Sequence, residues 1–383
     1  MIQDVYIIGS KGIPAHYGGY ETFVEKLTAG RINADIHYHV AARSDNSERG
    51  NERTFSHNGA EVFNVHVPNI GSAQAILYDV QSLRWAIKDA EVRHSVRPIF
   101  YILACRIGPF MSHFTKLIHN IGGRYFINPD GHEWKRAKWS APVRWYWKQS
   151  ERLMIKHADL VVCDNRKIEE YIQTEYLMFN PRTTFIAYGT DVEPSGLTDK
   201  DSQVKDWYAK TGLLPNNYYL IVGRFVPENN YVTMITEFMK SETSRQLAII
   251  TNVQQNKFYK RLMKETGFPK DNRIKFVGTV YDQALLKFIR ENAYGYIHGH
   301  EVGGTNPSLL EALSTTKLNL LIDVGFNRDV AHDAAMYWSK NTGNLSKLID
   351  ACDNLRNAQI TKLHQSALNI IYSEYTCLYR NTS

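Results

Sequence analysis

The residues best placed to do chemistry are the fourteen from His298 to Glu311, HGHEVGGTNPSLLE. They follow a strand-like apolar run and lead into a helical one, with a Gly-Gly-Thr-Asn-Pro turn between. Asn306 suits the N-cap, and Pro307 suits the first helical position, where its missing N–H would be unpaired in any case. The amides of this first turn, at the positive end of the helix dipole, form a seat for an anion such as a diphosphate. Gly303 and Gly304 remove the side chains that would hold a phosphate off the backbone, and the seat itself comprises Gly304, Thr305, Asn306 and Pro307. Glu311 lies about one turn into the helix, where a carboxylate accepts hydrogen bonds from a sugar hydroxyl. An ordinary capped helix after a glycine turn reads from the same residues.

Three further stretches carry reactive residue types. In GSKGIPAHYGGYETFVEKL (9–27), the glycines at 9, 12, 18 and 19 do not make the GxGxxG of a dinucleotide site. Gly18-Gly19 instead opens an amphipathic helix, offering a second group of amides, or simply a glycine turn that caps a helix. After a strand at 124–128, Asp130, His132 and Glu133 fall together at a strand end, where sites are built. Arg224 ends the strand YYLIVGRF, and its guanidinium suits bidentate capture of a diphosphate or a surface ion pair.

Basic and aromatic residues interleave through 128–157: Trp134, Lys135, Arg136, Lys138, Trp139, Arg144, Trp145 and Lys148 among them. Trp at headgroup depth with cations toward anionic lipid suits a membrane surface. A solvated basic helix with its tryptophans in the core is the competing reading. No DNA- or RNA-binding motif accompanies these residues, so nucleic acid is not an expected partner.

The elements that must position these residues alternate along the whole chain. Short apolar runs at 5–10, 35–40, 61–67, 98–103, 124–128 and 159–165 alternate with helical stretches, and a second series follows at 218–225, 246–251, 274–280, 294–298 and 318–323. Such runs predict parallel sheets covered on both faces, hence two Rossmann-like doubly wound α/β domains facing across a cleft. The polar stretch 192–203 reads as the linker, dividing 1–191 from 192–360, and the segment 361–383 is expected to be helical and to return to the first domain. The 383 residues suffice for two cores. A hydrophobic fraction of 43% with 22% charged residues is globular, and the net charge of +6 is mild. Cysteines at 105, 163, 352 and 377 lack metal-ligand spacing and read as reduced thiols. Neither a signal peptide nor an apolar run long enough to span a bilayer is evident, which suggests a cytoplasmic protein.

Taken together, GSKGIPAHYGGYETFVEKL, NPDGHEWKRAKWS, AYGTDVE (187–193), GRFVPENN (223–230) and HGHEVGGTNPSLLEAL resemble the GT-B glycosyltransferases of family 4. They look most like the bacterial rhamnosyltransferases of streptococcal-type capsules and rhamnose cell-wall polysaccharides. The resemblance spans essentially the whole chain. It implies an acceptor-binding first domain, a donor-binding second domain, stereochemical retention, and no metal or other cofactor. By the same resemblance Arg224 and Gly304 to Pro307 take the donor diphosphate, Glu311 the nucleotide ribose, and Gly18-Gly19 the loop over the reaction centre. Asp130, His132 and Glu133 become the candidates for work at the reacting atoms, with no choice among them. Two positions depart from the family. Asn229 stands where a lysine is usual, and Gly303 where the first of two paired glutamates is expected, with Glu301 two residues earlier. The second departure touches the grip on the donor sugar and fits a 6-deoxy sugar. The implied reaction transfers L-rhamnose from dTDP-rhamnose to a lipid-diphosphate-linked GlcNAc or glucose at the cytoplasmic membrane. A UDP-sugar donor, or a non-catalytic nucleotide-sugar-binding partner of another transferase, are the alternatives.

Overall fold

The computed structural model of the chain describes residues 2–376, apart from 16–17, 137–138 and 254. The chain divides into two compact units at 186/187. The first unit carries eight strands: β1 (Gln3–Ile8), β2 (Ile36–Arg43), β3 (Thr54–His57), β4 (Ala60–Val65), β5 (Ile99–Leu103), β6 (Arg124–Asn128), β7 (Leu160–Cys163) and β8 (Thr183–Phe185). They form one sheet in the order β3-β4-β2-β1-β5-β6-β7-β8, parallel except for the β3–β4 hairpin. Alternation along β1 explains how this sheet is covered. Tyr6 and Ile8 enter one apolar cluster with Phe100 and Ile102, while Ile7 enters another with Val40 and Leu103.

The second unit holds β9 (Tyr218–Val222), β10 (Gln246–Ile250), β11 (Ile274–Gly278), β12 (Gly295–His298), β13 (Asn319–Ile322) and β14 (Met336–Trp338). Its order is β11-β10-β9-β12-β13-β14, parallel throughout. Tyr219 and Ile221 face one cluster and Tyr218 and Leu220 the other. In each sheet the connections run first to one side and then to the other, reversing between β1 and β5 and between β9 and β12. Loops at the carboxyl ends of such neighbouring strands part, and that is where open α/β sheets bind ligands.

Two features differ from the expected organisation. The stretch 192–203 is not a free linker: Ser195 is buried, donates its amide N–H to the Glu291 carboxylate at 2.7 Å, and donates its hydroxyl to the Ala284 carbonyl at 2.8 Å. Ala187, Tyr188 and Val192 likewise join the apolar cluster of Leu309 and Leu310, so the boundary lies at 186 rather than 191. The described part of 361–383 packs within the second unit instead of returning to the first. Ala367, Ile371 and Tyr375 bury themselves against Leu309, Leu310 and Leu313, and Thr190 bridges to Thr376. Small and apolar side chains on that helix meet the apolar face of 307–315, which would otherwise be in water.

Candidate functional site

In the second unit, β9 runs into Gly223, Arg224 and a loop to Asn230, while its neighbour β12 runs into Gly299, His300 and the glycine turn. The helix Pro307–Thr315 begins as expected: Asn306 is extended and its side chain accepts the Ser308 amide at 2.9 Å. Leu309 and Leu310 donate to the Asn306 carbonyl, and Pro307 has no N–H. The amides of 308–310 are therefore spent on the cap, so within the expected seat 304–307 any open donors lie ahead of the helix and not in its first turn. The amides of Gly303, Gly304 and Asn306, just ahead of the helix, have no acceptor among the described residues. They remain at the positive end of the helix dipole. Thr305, between them, is buried.

Arg224 is exposed, and among the described residues no carboxylate pairs with it. Its backbone is held rigidly. Asn229, 9% exposed, donates Nδ2 to the Arg224 carbonyl at 2.8 Å, and its Oδ1 lies 2.9 Å from His300 Nδ1. With Nδ2 committed, Oδ1 accepts, so His300 carries its proton on Nδ1. Asn230 donates to the Gly299 carbonyl at 2.8 Å, and the Tyr231 hydroxyl to the Gly223 carbonyl at 3.0 Å. Asn229 is thus a brace between the ends of β9 and β12, a role unlike that of a phosphate-binding lysine.

The second departure also has a local cause. Gly303 has φ +137°, and a Cβ there would lie 3.1 Å from His300 Nε2. A side chain at 303 would meet both backbone strain and the imidazole. Glu301 is ion-paired with Lys340.

Glu311 is a quarter exposed and pairs through Oε2 with Arg290 at 2.7 Å, whose side chain is 4% exposed. Arg290 also reaches Ser308 Oγ at 3.3 Å. Arg290 escaped the sequence reading; the one available signal was an arginine at the end of an otherwise apolar helical face, Leu286, Ile289 and Arg290. His298 is buried, with Nδ1 3.3 Å from the Tyr296 hydroxyl, and burial pushes its pKa down to about 3.

In the first unit, Gly18 precedes the helix Gly19–Ala29 at φ +135°. The buried Glu21 carboxylate takes the Lys11 amide at 2.8 Å, and a Cβ on Gly18 would fall 1.9 Å from its Oε2. Glycine is required here, but the anion beside the Gly18-Gly19 turn is the protein's own. This repels a phosphate rather than seating one.

Asp130 and His132 both adopt left-handed backbone, φ +59° and +45°, a costly conformation for such residues. Arg136 is buried between their carboxylate neighbours, its Nε 2.5 Å from Glu133 Oε2 and NH2 3.6 Å from Asp130 Oδ2. Trp139 Nε1 donates to Glu133 Oε1 at 2.9 Å. Glu133 is accordingly held in an ion pair. His132 packs on Tyr171, ring centroids 4.3 Å apart, and on Trp134. Burial first, then Lys135 and Lys148, lower its pKa to about 4. A neutral imidazole of that basicity hydrogen-bonds at pH 7 but makes a weak general base.

The two lowered histidines set a pH dependence. Unfolded, both would titrate near the ordinary ~6.5; folded, they stay neutral to about 4 and about 3. The unfolded chain then binds more protons, so stability is lost as pH falls from about 6.5 toward 4. Urea unfolding from pH 7 to 5 should give falling midpoints, and His132→Asn, which tolerates left-handed backbone, should flatten the slope. Equal slopes in the two proteins would contradict this.

Half of the eight presumed membrane-facing residues turn inward. Arg136 is in its ion pair, Trp139 bonds Glu133, and Lys148 donates to the Tyr171 hydroxyl at 2.6 Å, pairs with Glu175 at 2.7 Å and lies over the Trp134 ring. Lys138 lies outside the described residues. Lys135, Arg144 and Trp145 are exposed, Trp145 at 67%. On the helix Ala141–His157, Arg152 and Lys156 are exposed too, and Arg152 touches the exposed Met178 at 3.9 Å.

Comparison with known proteins gives this geometry its context. Residues 2–191 match the family model described as Domain of unknown function (DUF1972). An uncharacterized glycosyltransferase of Methanocaldococcus jannaschii is 22% identical over 316 residues, 79% of this chain and 76% of that one. Sucrose-phosphate synthase from Thermosynechococcus elongatus superposes with TM-score 0.75 at 15% identity, over 98% of this chain and 95% of that chain. The Anabaena protein HepE, solved in complex with UDP and glucose, gives TM-score 0.70 at 14% identity, over 99% and 96%. The fold is the GT-B fold: two parallel-sheet α/β units, with sheets of eight and six strands.

Proposed function

We propose that the protein is a retaining, metal-independent glycosyltransferase whose second unit binds the nucleotide-sugar donor. The observation that carries this reading is that the neighbouring strands β9 and β12 lead, one into Arg224, exposed and without an ionic partner among the described residues, the other into the amides of Gly303, Gly304 and Asn306, which have no acceptor among them. A departing diphosphate gathers negative charge, and preorganised N–H donors with a guanidinium stabilise it where it develops. Retention needs no side-chain nucleophile if the leaving phosphate takes the acceptor proton on the same face. Asp130 and the neutral His132 then orient the acceptor hydroxyl, while Glu133 holds Arg136. Names of the relatives support the class: a glycosyltransferase, and structures holding UDP and glucose.

The donor is dTDP-L-rhamnose and the acceptor a lipid-diphosphate-linked GlcNAc or glucose. Resemblance of the five motifs supports this choice over a UDP-sugar, and Gly303, which leaves no carboxylate at the position that meets the donor-sugar hydroxyls, agrees with a sugar that has one hydroxyl fewer. Titration calorimetry of dTDP-rhamnose against wild type and Arg224→Ala tests the site; equal affinities would rule out the diphosphate role.

Peripheral attachment to the cytoplasmic membrane is carried by Trp145, Arg144, Arg152 and Lys156, with Lys135 and the Met178 turn alongside. Among the described residues no helix is long and apolar enough to cross a membrane. Sedimentation with phosphatidylglycerol vesicles should fall at least severalfold in Trp145→Ala/Arg152→Ala, and should not change in Lys148→Ala, whose side chain is engaged by Tyr171 and Glu175. Equal losses for both variants would argue against this face.

A further inference from the structure

We infer that Arg290 sets how the nucleotide's sugar is read: by occupying one oxygen of Glu311, it makes the site indifferent to a 2′-hydroxyl. The inference rests on Glu311 being the carboxylate that meets the nucleotide sugar. Arg290 sits at the end of the helix Gln283–Glu291 with its side chain 4% exposed. Its NH2 holds Glu311 Oε2 at 2.7 Å and Ser308 Oγ at 3.3 Å. Ser308 Oγ lies 3.1 Å from the Tyr296 hydroxyl and 3.4 Å from the Val222 carbonyl, and Thr316 Oγ1 donates to the Arg290 carbonyl at 3.0 Å. The guanidinium is therefore tied to the first half of the helix 307–315 and, through Ser308 Oγ, to β9 and β12, while its backbone carbonyl is held by Thr316 just past that helix. It is buried, and Glu311 is its ionic partner, so neither group swings away without leaving a charge uncompensated.

A ribose presents two neighbouring hydroxyls, and a carboxylate open at both oxygens takes both. Here Oε2 is committed, and Oε1 has no partner among the described residues. The 3′-hydroxyl is common to ribo- and deoxyribonucleotides, and seated on Oε1 it takes the better acceptor. The 2′-hydroxyl then meets the oxygen whose charge is already drawn on by the guanidinium, a weaker acceptor that returns little for its desolvation. Arg290 acts through Glu311 and is a positioning residue.

UDP and dUDP differ by that one hydroxyl, as do GDP and dGDP, and titration of the intact protein with both pairs isolates its effect whichever base is preferred. The wild type should bind the members of each pair within about threefold of one another, whereas a hydrogen bond to a charged group is worth on the order of tenfold or more. In Arg290→Met, which removes the cation and keeps the length, Oε2 is released and the ribo member should gain at least about fivefold over the deoxy member. Arg290→Lys should keep the wild-type ratio. A merely structural role for Arg290 would weaken both members equally and leave the ratio unmoved. Wild-type preference for ribonucleotides by tenfold or more overturns the inference while the proposed function stands, and this arm holds even if Arg290→Met does not fold. Failure of every nucleoside diphosphate to bind overturns both.

Discussion

Arg224→Ala should lower glycosyl transfer by about 10²–10³-fold with little change in stability. The side chain is exposed and has no ionic partner among the described residues, so the folded state loses nothing with it. Its removal should fall within about 0.5 kcal/mol in urea unfolding. The backbone beneath is fixed by Asn229 Nδ2 on its carbonyl, so the guanidinium starts from a held position and not from a mobile loop. Arg224→Lys keeps the charge but loses the fork that fits two phosphate oxygens, and should recover only part of the rate. Rates come from single-turnover assays at saturating donor. Near-normal transfer by Arg224→Ala would remove this residue from the mechanism.

Restoring the two family residues that this chain lacks should damage it. Asn229→Lys breaks the brace between the β9 and β12 loops: the Arg224 carbonyl loses a donor, His300 Nδ1–H loses its acceptor, and an ammonium enters a position 9% exposed. With about 1–3 kcal/mol for each buried group left unpaired, a loss of about 2–5 kcal/mol is expected. Gly303→Glu places a side chain at φ +137°, with its Cβ 3.1 Å from His300 Nε2, and costs about 1–3 kcal/mol in backbone strain alone. Both should reduce donor affinity along with stability, read by urea unfolding and by KM for the donor. Improved affinity in either would mean that these positions are degenerate versions of the family site. Lowered affinity in both identifies a different internal architecture around His300.

Strands of the two sheets were legible because buried parallel strands write themselves as unbroken apolar runs; eleven such runs correspond to strands. The three unrecognised strands, β3, β8 and β14, have three or four residues each and lie at sheet edges or ends, where no run accumulates. For β3 a signal existed: Asn58-Gly59, both at positive φ, form the two-residue hairpin turn to β4. The Asn306 cap was readable because capping is a contact between residues two apart. The same cap satisfies amides that an anion would need.

Partners far apart in sequence were out of reach. Asn229 with His300, and Arg290 with Glu311, meet only once β9, β12 and their following helices are assembled. The basic and aromatic segment went astray differently. Composition cannot say which side of a chain faces inward, yet Glu133 and Arg136, three residues apart, marked a local ion pair that draws the arginine in. Gly18-Gly19 shows the same limit: Glu21 suits a first helical turn in sequence, and only the fold reveals its carboxylate against the loop.

The central claim is tested most directly by turnover. The purified protein, in excess EDTA, would be incubated with dTDP-rhamnose, UDP-glucose, UDP-GlcNAc or GDP-mannose and a lipid-diphosphate-linked GlcNAc, and the anomeric configuration of any product read by NMR. Transfer from dTDP-rhamnose with the donor's configuration retained is the expected result. Absence of transfer from every donor, an inverted product, or activity that appears only with added magnesium or manganese would contradict it.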